Sequence, residues 1–193
     1  MTNRKLIDKE KFAIDIIANT LQMAQIFYNA SPSLIFEPKN NLKHLAKHLN
    51  QILQYLIHTY ASRSNDCSTE TSIASAAICY EWDYNDLLSL DKNRATSMLR
   101  EHLTWKNLHF NNLISRTSFF LFAVQHEVYR NATDRDRSKL LNIWICILNT
   151  RKFPQGFFMK TMALLKAYDI SNFDNIKHNA YHDKYLSQCM LEV

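Results

Sequence analysis

One glycine, Gly156, serves a chain of 193 residues. Glycine supplies the positive φ angles of tight β-turns and lets backbone N–H groups close around a phosphate. Its near-absence excludes the Walker and dinucleotide-binding fingerprints, which need several glycines. It also argues against a hairpin-rich β fold, whereas helices joined by polar loops manage without it. Other signatures are missing too: there is no CxxC pair, no GxSxG elbow and no HExxH. The longest apolar runs, Phe119–Val124 and Ile143–Leu148, fall far short of the ~18–20 residues that span a bilayer. The opening MTNRKLIDKEKF is too charged to lead into a signal-peptide core. The expectations are therefore no membrane span, a cytoplasmic location, and reduced thiols at Cys67, Cys79, Cys146 and Cys189.

What is present is apolar mass. Hydrophobic residues make up 47% of the chain, too rich for disorder, and the net charge is a mild +5. The apolar residues fall into helical periods. The spacing predicts a first helix over residues 8–28, broken by Pro32 and Pro38, with Leu34 to Phe36 tucked against the body. A second is predicted over 41–62, where Leu42, Leu45, Leu49, Ile52, Leu56 and Tyr60 recur at threes and fours. A polar loop over 62–72 is the sole candidate seam in a single domain, 1–193. Further helices are predicted over 73–80, 91–107, 111–129, 134–149, 157–168 and 175–190. The run Leu140–Leu148 is apolar on every side and should form the central helix, with Trp144 deep in the core. The fold class so read is an all-α, single compact bundle of six to eight helices.

Two HxxxH spacings, His44–His48 and His178–His182, place paired imidazoles one helical turn apart, as a metal site can. On the predicted second helix His44 and His48 fall about 130° and about 90° from the buried stripe, and His58 lies opposite it. These positions are solvated, so no metal and no cofactor are expected. The arginine–histidine spacing of HEPN nucleases is also missed: Arg94 to His102 and Arg116 to His126 are too far apart. No reacting centre assembles, and the expected function is a non-catalytic protein-binding module of adaptor, inhibitor or effector type. Its partner surface is placed on helix 111–129, where Phe119 and Phe122 leave the stripe of Phe120, Leu121, Val124 and Val128. Arg116, His126 and Glu127 form the polar rim. The partner is another protein or a second copy in a homodimer.

The basic residues Arg130, Arg135, Arg137 and Lys139 gather at one predicted helix start, and Arg151 and Lys152 follow its other end. Interrupted by Asp134 and Asp136, they read first as a salt-bridged cap. The alternative is a site for an anion or an acidic partner, with nucleic acid as a third reading. The run from Arg137 through Trp144 to Leu148, followed by Phe153 and Phe157-Phe158, resembles part of the catalytic domain of Ras-type nucleotide exchange factors. There an arginine opens a helix that continues as an apolar W-I-x-I segment, with an Asn-Phe pair after it. Lys152-Phe153 stands at that pair here. The resemblance implies, as an alternative function, a helical segment acting on a small GTPase.

Overall fold

A computed structural model describes residues 35–61, 64, 66–69, 72–80, 85–104, 111–133, 143–170, 181–188 and 190–192. The all-α expectation is wrong: the centre of the molecule is a five-stranded antiparallel sheet. Its strands are β1 (Tyr55–Ala61), β3 (Leu113–Thr117), β4 (Ile143–Asn149), β5 (Met159–Lys160) and β6 (Lys184–Gln188), in spatial order β4-β1-β3-β6-β5. A separate pair joins β2 (Ser72–Ala74) to β7 (Met190–Glu192). The described helices are α1 (Ala46–Leu49), entered through a 3-10 turn at Asn40–Leu45, α2 (Ala76–Cys79), α3 (Lys92–Leu103), α4 (Phe120–Thr133) and α5 (Thr161–Ala167). None of the described helices is long and apolar enough to cross a membrane.

The predicted second helix breaks in two because its second half is made of sheet formers. Tyr55, Ile57, Thr59 and Tyr60 are β-branched or aromatic, and such side chains pack well on a pleated surface. The leucine stripe is nonetheless buried, by two different elements. Leu42 and Leu45, with Leu49 packed against them, join a core with α3 and α5, while Leu56, with Ile52 against it, belongs to a second cluster. The predicted central helix over 134–149 meets the same correction: its described part is β4, rich in isoleucine, at the sheet edge. Trp144 there is 36% exposed rather than deep. Helix 111–129 divides into β3 and α4, and the predicted helix over 73–80 into β2 and the single turn of α2. Within the span 157–168 the helix is α5, preceded by β5. The described end of the predicted last helix is β6 and β7. The prediction over 91–107 holds where α3 forms; Asp91 caps it by accepting at 3.0 Å from the backbone N–H groups of Asn93 and Arg94. The first predicted helix lies outside the described residues.

The sheet separates two apolar clusters. Leu113, Met159 and Leu186 point to the side that carries the 3-10 turn, α3 and α5. Leu56, Ile114, Leu148 and Tyr185 point to the other, against Ile73, Phe157 and Phe158. The single glycine holds these layers together at one turn. Gly156 has φ +89, and its carbonyl accepts from the Phe36 N–H at 2.7 Å. A Cβ there would lie 2.9 Å from the Phe36 carbonyl oxygen. Phe36 itself is buried, as the sequence led us to expect.

The thiol expectation is also corrected. Cys67 and Cys79 form a disulfide with their Cα atoms 5.7 Å apart, tying the loop after β1 to the end of α2. Cys146 is free and half-buried on β4. Cys189 lies outside the described residues.

Candidate functional site: a polar cleft where two strands part

The strand pairings are unequal. β1 and β4 stay in register from Tyr55↔Asn149 to Ala61↔Ile143, and β3 and β6 from Leu113↔Gln188 to Thr117↔Lys184. Between the neighbours β1 and β3 only Ile57↔Thr117 is paired. Beyond that pair the strands diverge, and side chains take over from the backbone ladder. The carbonyl of Ser115 accepts from His58 Nδ1 at 3.1 Å instead of from a β1 N–H. A cavity of about 130 Å3 opens there, room for roughly four waters at ~30 Å3 each. β1, β3, α3, α4 and the loop after β1 wall it, with His58, His102, Arg116, Glu127 and Lys184 among its lining.

Arg116 is the chemical centre of this arrangement. It lies on β3 and is 2% exposed. Its Nη1 donates to the Ser115 carbonyl at 3.4 Å and lies 3.5 Å from His58 Nδ1. Burial lowers its pKa to about 10, with the charges of Cys146 and Asp66 countering in part, so it stays cationic at neutral pH. His58 has its Nε2 3.0 Å from the Asp66 carboxylate and 3.2 Å from Ser68 Oγ, and Ser68 donates to Asp66 at 3.1 Å. His58 thus links the β3 backbone at Ser115 to the Asp66 carboxylate and the Ser68 hydroxyl of the loop after β1. Burial alone would raise the Asp66 carboxyl. The hydrogen bond and charge of His58, joined by Ser68 and Arg116, outweigh it and hold the group below its ordinary value.

Around this core the cleft carries both signs of charge. Glu127, from α4, accepts from Thr59 Oγ1 at 2.8 Å and lies 3.3 Å from His126 Nδ1. Lys184, from β6, sits over the rings of Phe122 and Tyr181 at 5.5 and 5.1 Å, and burial lowers its pKa. His102, from α3, has Nε2 2.9 Å from Ser115 Oγ, while its Nδ1 is sealed from water with no partner among the described residues. Burial, reinforced by the Lys184 charge, brings its pKa down to about 3.

The structure scatters the site residues read from sequence. Phe119 is 52% exposed at the start of α4, whereas Phe122 turns half-buried into the cleft beside His126. The stripe on that helix is also displaced: Ala123 and Glu127 face the sheet, and Leu121 and Val128 face solvent. Arg116, expected on a polar helix rim, is buried on β3, and His58, expected opposite a buried stripe, is 5% exposed. Arg151 and Lys152 are exposed on a 3-10 turn after β4 and take no part in the cleft. The side chain of Arg130 in α4, and Arg135, Arg137 and Lys139, lie outside the described residues. The helix that the exchange-factor resemblance needs is replaced by β4. His44 Nδ1 lies 3.1 Å from the Asn41 carbonyl and His48 Nδ1 3.2 Å from Gln51 Oε1, His182 is exposed, and His178 is outside the described residues. Among the described residues no three His, Cys, Asp or Glu side chains gather to hold a metal.

Sequence reasoning missed Asp66, His58, His102, Arg116 and Lys184 as one group. A signal was present at two of them. His58 in Leu56-Ile-His-Thr-Tyr60 and Arg116 in Leu113-Ile-Ser-Arg-Thr117 each interrupt a sheet-forming run with a single ionisable residue.

Residues 51–188 match the family model described as Domain of unknown function (DUF7587), and the chain belongs to that family. The matched span contains every described residue that lines the cleft. No curated protein and no solved structure matches the chain.

Proposed function

We propose that in this member of the DUF7587 family the cleft between β1 and β3 binds a small polar molecule without transforming it. The observation that carries this reading is the parting of two central strands around convergent ionisable groups, where an uninterrupted ladder would have left no space. Ligand sites are typically concave, preformed and furnished with a few convergent polar groups. The non-catalytic part rests on Ser115 and His102. They are hydrogen-bonded as a nucleophile and base would be, but no carboxylate orients His102 Nδ1, and a pKa of about 3 makes that ring a weak base at neutral pH. Ala123 lies on α4 against the cavity, and Ala123→Leu should fill space there. A thermal-shift screen of charged and zwitterionic metabolites should give saturable stabilisation of the parent. The same compounds should lose their effect on the filled variant. Stabilisation that the filled variant keeps in full would place the ligand elsewhere.

A protein partner is the second reading, and β4 favours it. Among the described strands β4 is at one edge of the sheet, and Trp144 and Ile147 on it, with Leu53 and Tyr55 nearby, are exposed apolar side chains. An open edge with apolar side chains is a template for an added strand, from a partner or from a second copy. Ile147→Lys should leave the melting temperature close to that of the parent. It should also abolish any self-association seen by sedimentation or any complex recovered from cells. Association unchanged by the lysine would remove this edge from consideration.

A further inference from the structure

We infer that the cleft recognises an oxyanion, a phosphate or carboxylate group, through the Nε–Nη2 edge of Arg116. The inference rests on the cleft reading above and narrows it to a ligand class. Nη1 of the guanidinium is engaged with Ser115, but Nε and Nη2 have no hydrogen-bond partner among the described residues. Those two nitrogens form one edge of the guanidinium plane and direct their protons side by side. A group with two oxygens fits that edge in a bidentate pair, which is the strongest form of charged hydrogen bond available to arginine. Buried donors without partners are rare in folded proteins, and a buried cation with two of them is costlier still.

The surrounding charges support the same ligand. Asp66, whose field Arg116 feels, is hydrogen-bonded to His58 and Ser68 rather than to the guanidinium. Lys184, the second cation of the lining, has aromatic rings for neighbours and no ion pair among the described residues. Arg116 and Lys184 thus border one cavity from opposite faces of the β3–β6 pair, and among the described residues no carboxylate is hydrogen-bonded to either. Both Arg116 nitrogens are closed to water here, so an anion reaches them as neighbouring side chains give way, in competition with the Asp66 carboxylate.

The full chain, titrated separately with inorganic phosphate and with acetate, tests this, with sodium chloride holding ionic strength constant. The readouts are the Nε–H NMR signal of Arg116 and the melting temperature. A saturable shift of that signal and a rise in melting temperature are expected with at least one of the anions. A response to phosphate alone marks a phosphoryl ligand, to acetate alone a carboxylate, and to both the shared oxyanion chemistry. Arg116→Lys keeps the charge without the two-donor edge and should weaken binding about tenfold. Asp66→Asn removes the competing carboxylate and should strengthen binding. Failure of both anions to move the Arg116 signal, or equal binding by parent and Arg116→Lys, overturns the inference. Should Arg116→Lys not fold, unchanged affinity in Asp66→Asn overturns it equally. A cleft that binds cationic metabolites of the screen, blocked by Ala123→Leu, while ignoring both anions would sink this inference and leave the broader reading standing.

Discussion

His102 shows how one side chain links this fold to acidity. In the folded chain its pKa is about 3, against an ordinary 6.5, because its packing in the cleft strips hydration from the charged ring and the Lys184 charge opposes protonation. The unfolded chain therefore takes up a proton on His102 at a pH where the folded chain refuses one. Stability is unaffected by this group well above pH 6.5, and it falls as pH drops from 6.5 toward 3. Asp66 acts lower on the scale. Its folded pKa is below 3.8, so its contribution is complete above that value and disappears as pH falls through the folded one. Urea titrations should show stability declining from about pH 6.5 downward, and His102→Gln should flatten the slope between about pH 6.5 and 5 while leaving the steeper loss below about pH 4. A parent whose stability is level across the upper window would show that His102 is not buried as a neutral ring.

The loop after β1 is an element whose position is fixed by chemistry beyond its own hydrogen bonds. Asp66 and Ser68 flank Cys67, and both are hydrogen-bonded to His58. The disulfide to Cys79 at the end of α2 holds all three against the sheet. The sequence separation is 12 residues, and closing a loop of that order stabilises by roughly 2–3 kcal/mol. Reduction with dithiothreitol, or replacement of both cysteines by serine, should lower the unfolding free energy by roughly that amount. It should also move the NMR signals of the His58 ring, because Asp66 and Ser68 gain freedom when Cys67 does. Identical stability and an unmoved His58 ring in the double-serine variant would mean the cross-link holds nothing in place. β4 is the contrasting element. It is held by its ladder to β1 and buries Leu148, yet leaves Trp144 and Ile147 exposed. A sequence apolar at nearly every position belongs here to an edge, not to a centre.

For the molecule as a whole, the sequence by itself determined that a set of leucines leaves water, though not that His58 and Arg116 go with them or that Trp144 stays half out. Leu42, Leu45, Leu56, Leu99, Leu164 and Leu165 are all buried, and the apolar character of each stretch was evident from its letters. It also determined the cap at Asp91 and the turn around Gly156, because capping and positive φ depend on a few adjacent residues. The tertiary structure alone decided whether a stretch became helix or strand. Between Leu42 and Tyr60 threes and fours of leucine fit a helix, and only pairing with Ile143–Asn149, far along the chain, supplied the hydrogen-bond partners that make β1 a strand. Such pairing leaves no period in either segment when both faces of the sheet are covered. The cleft was hidden for the same reason. His58, Asp66, His102, Arg116 and Lys184 come from β1, a loop, α3, β3 and β6, and no local spacing relates them. Their meeting depends on β1 and β3 separating after one pair, an event set by the packing of helices against the sheet and by side chains that replace the missing ladder. Local physics fixes what a residue prefers, and long-range contact fixes what it can touch.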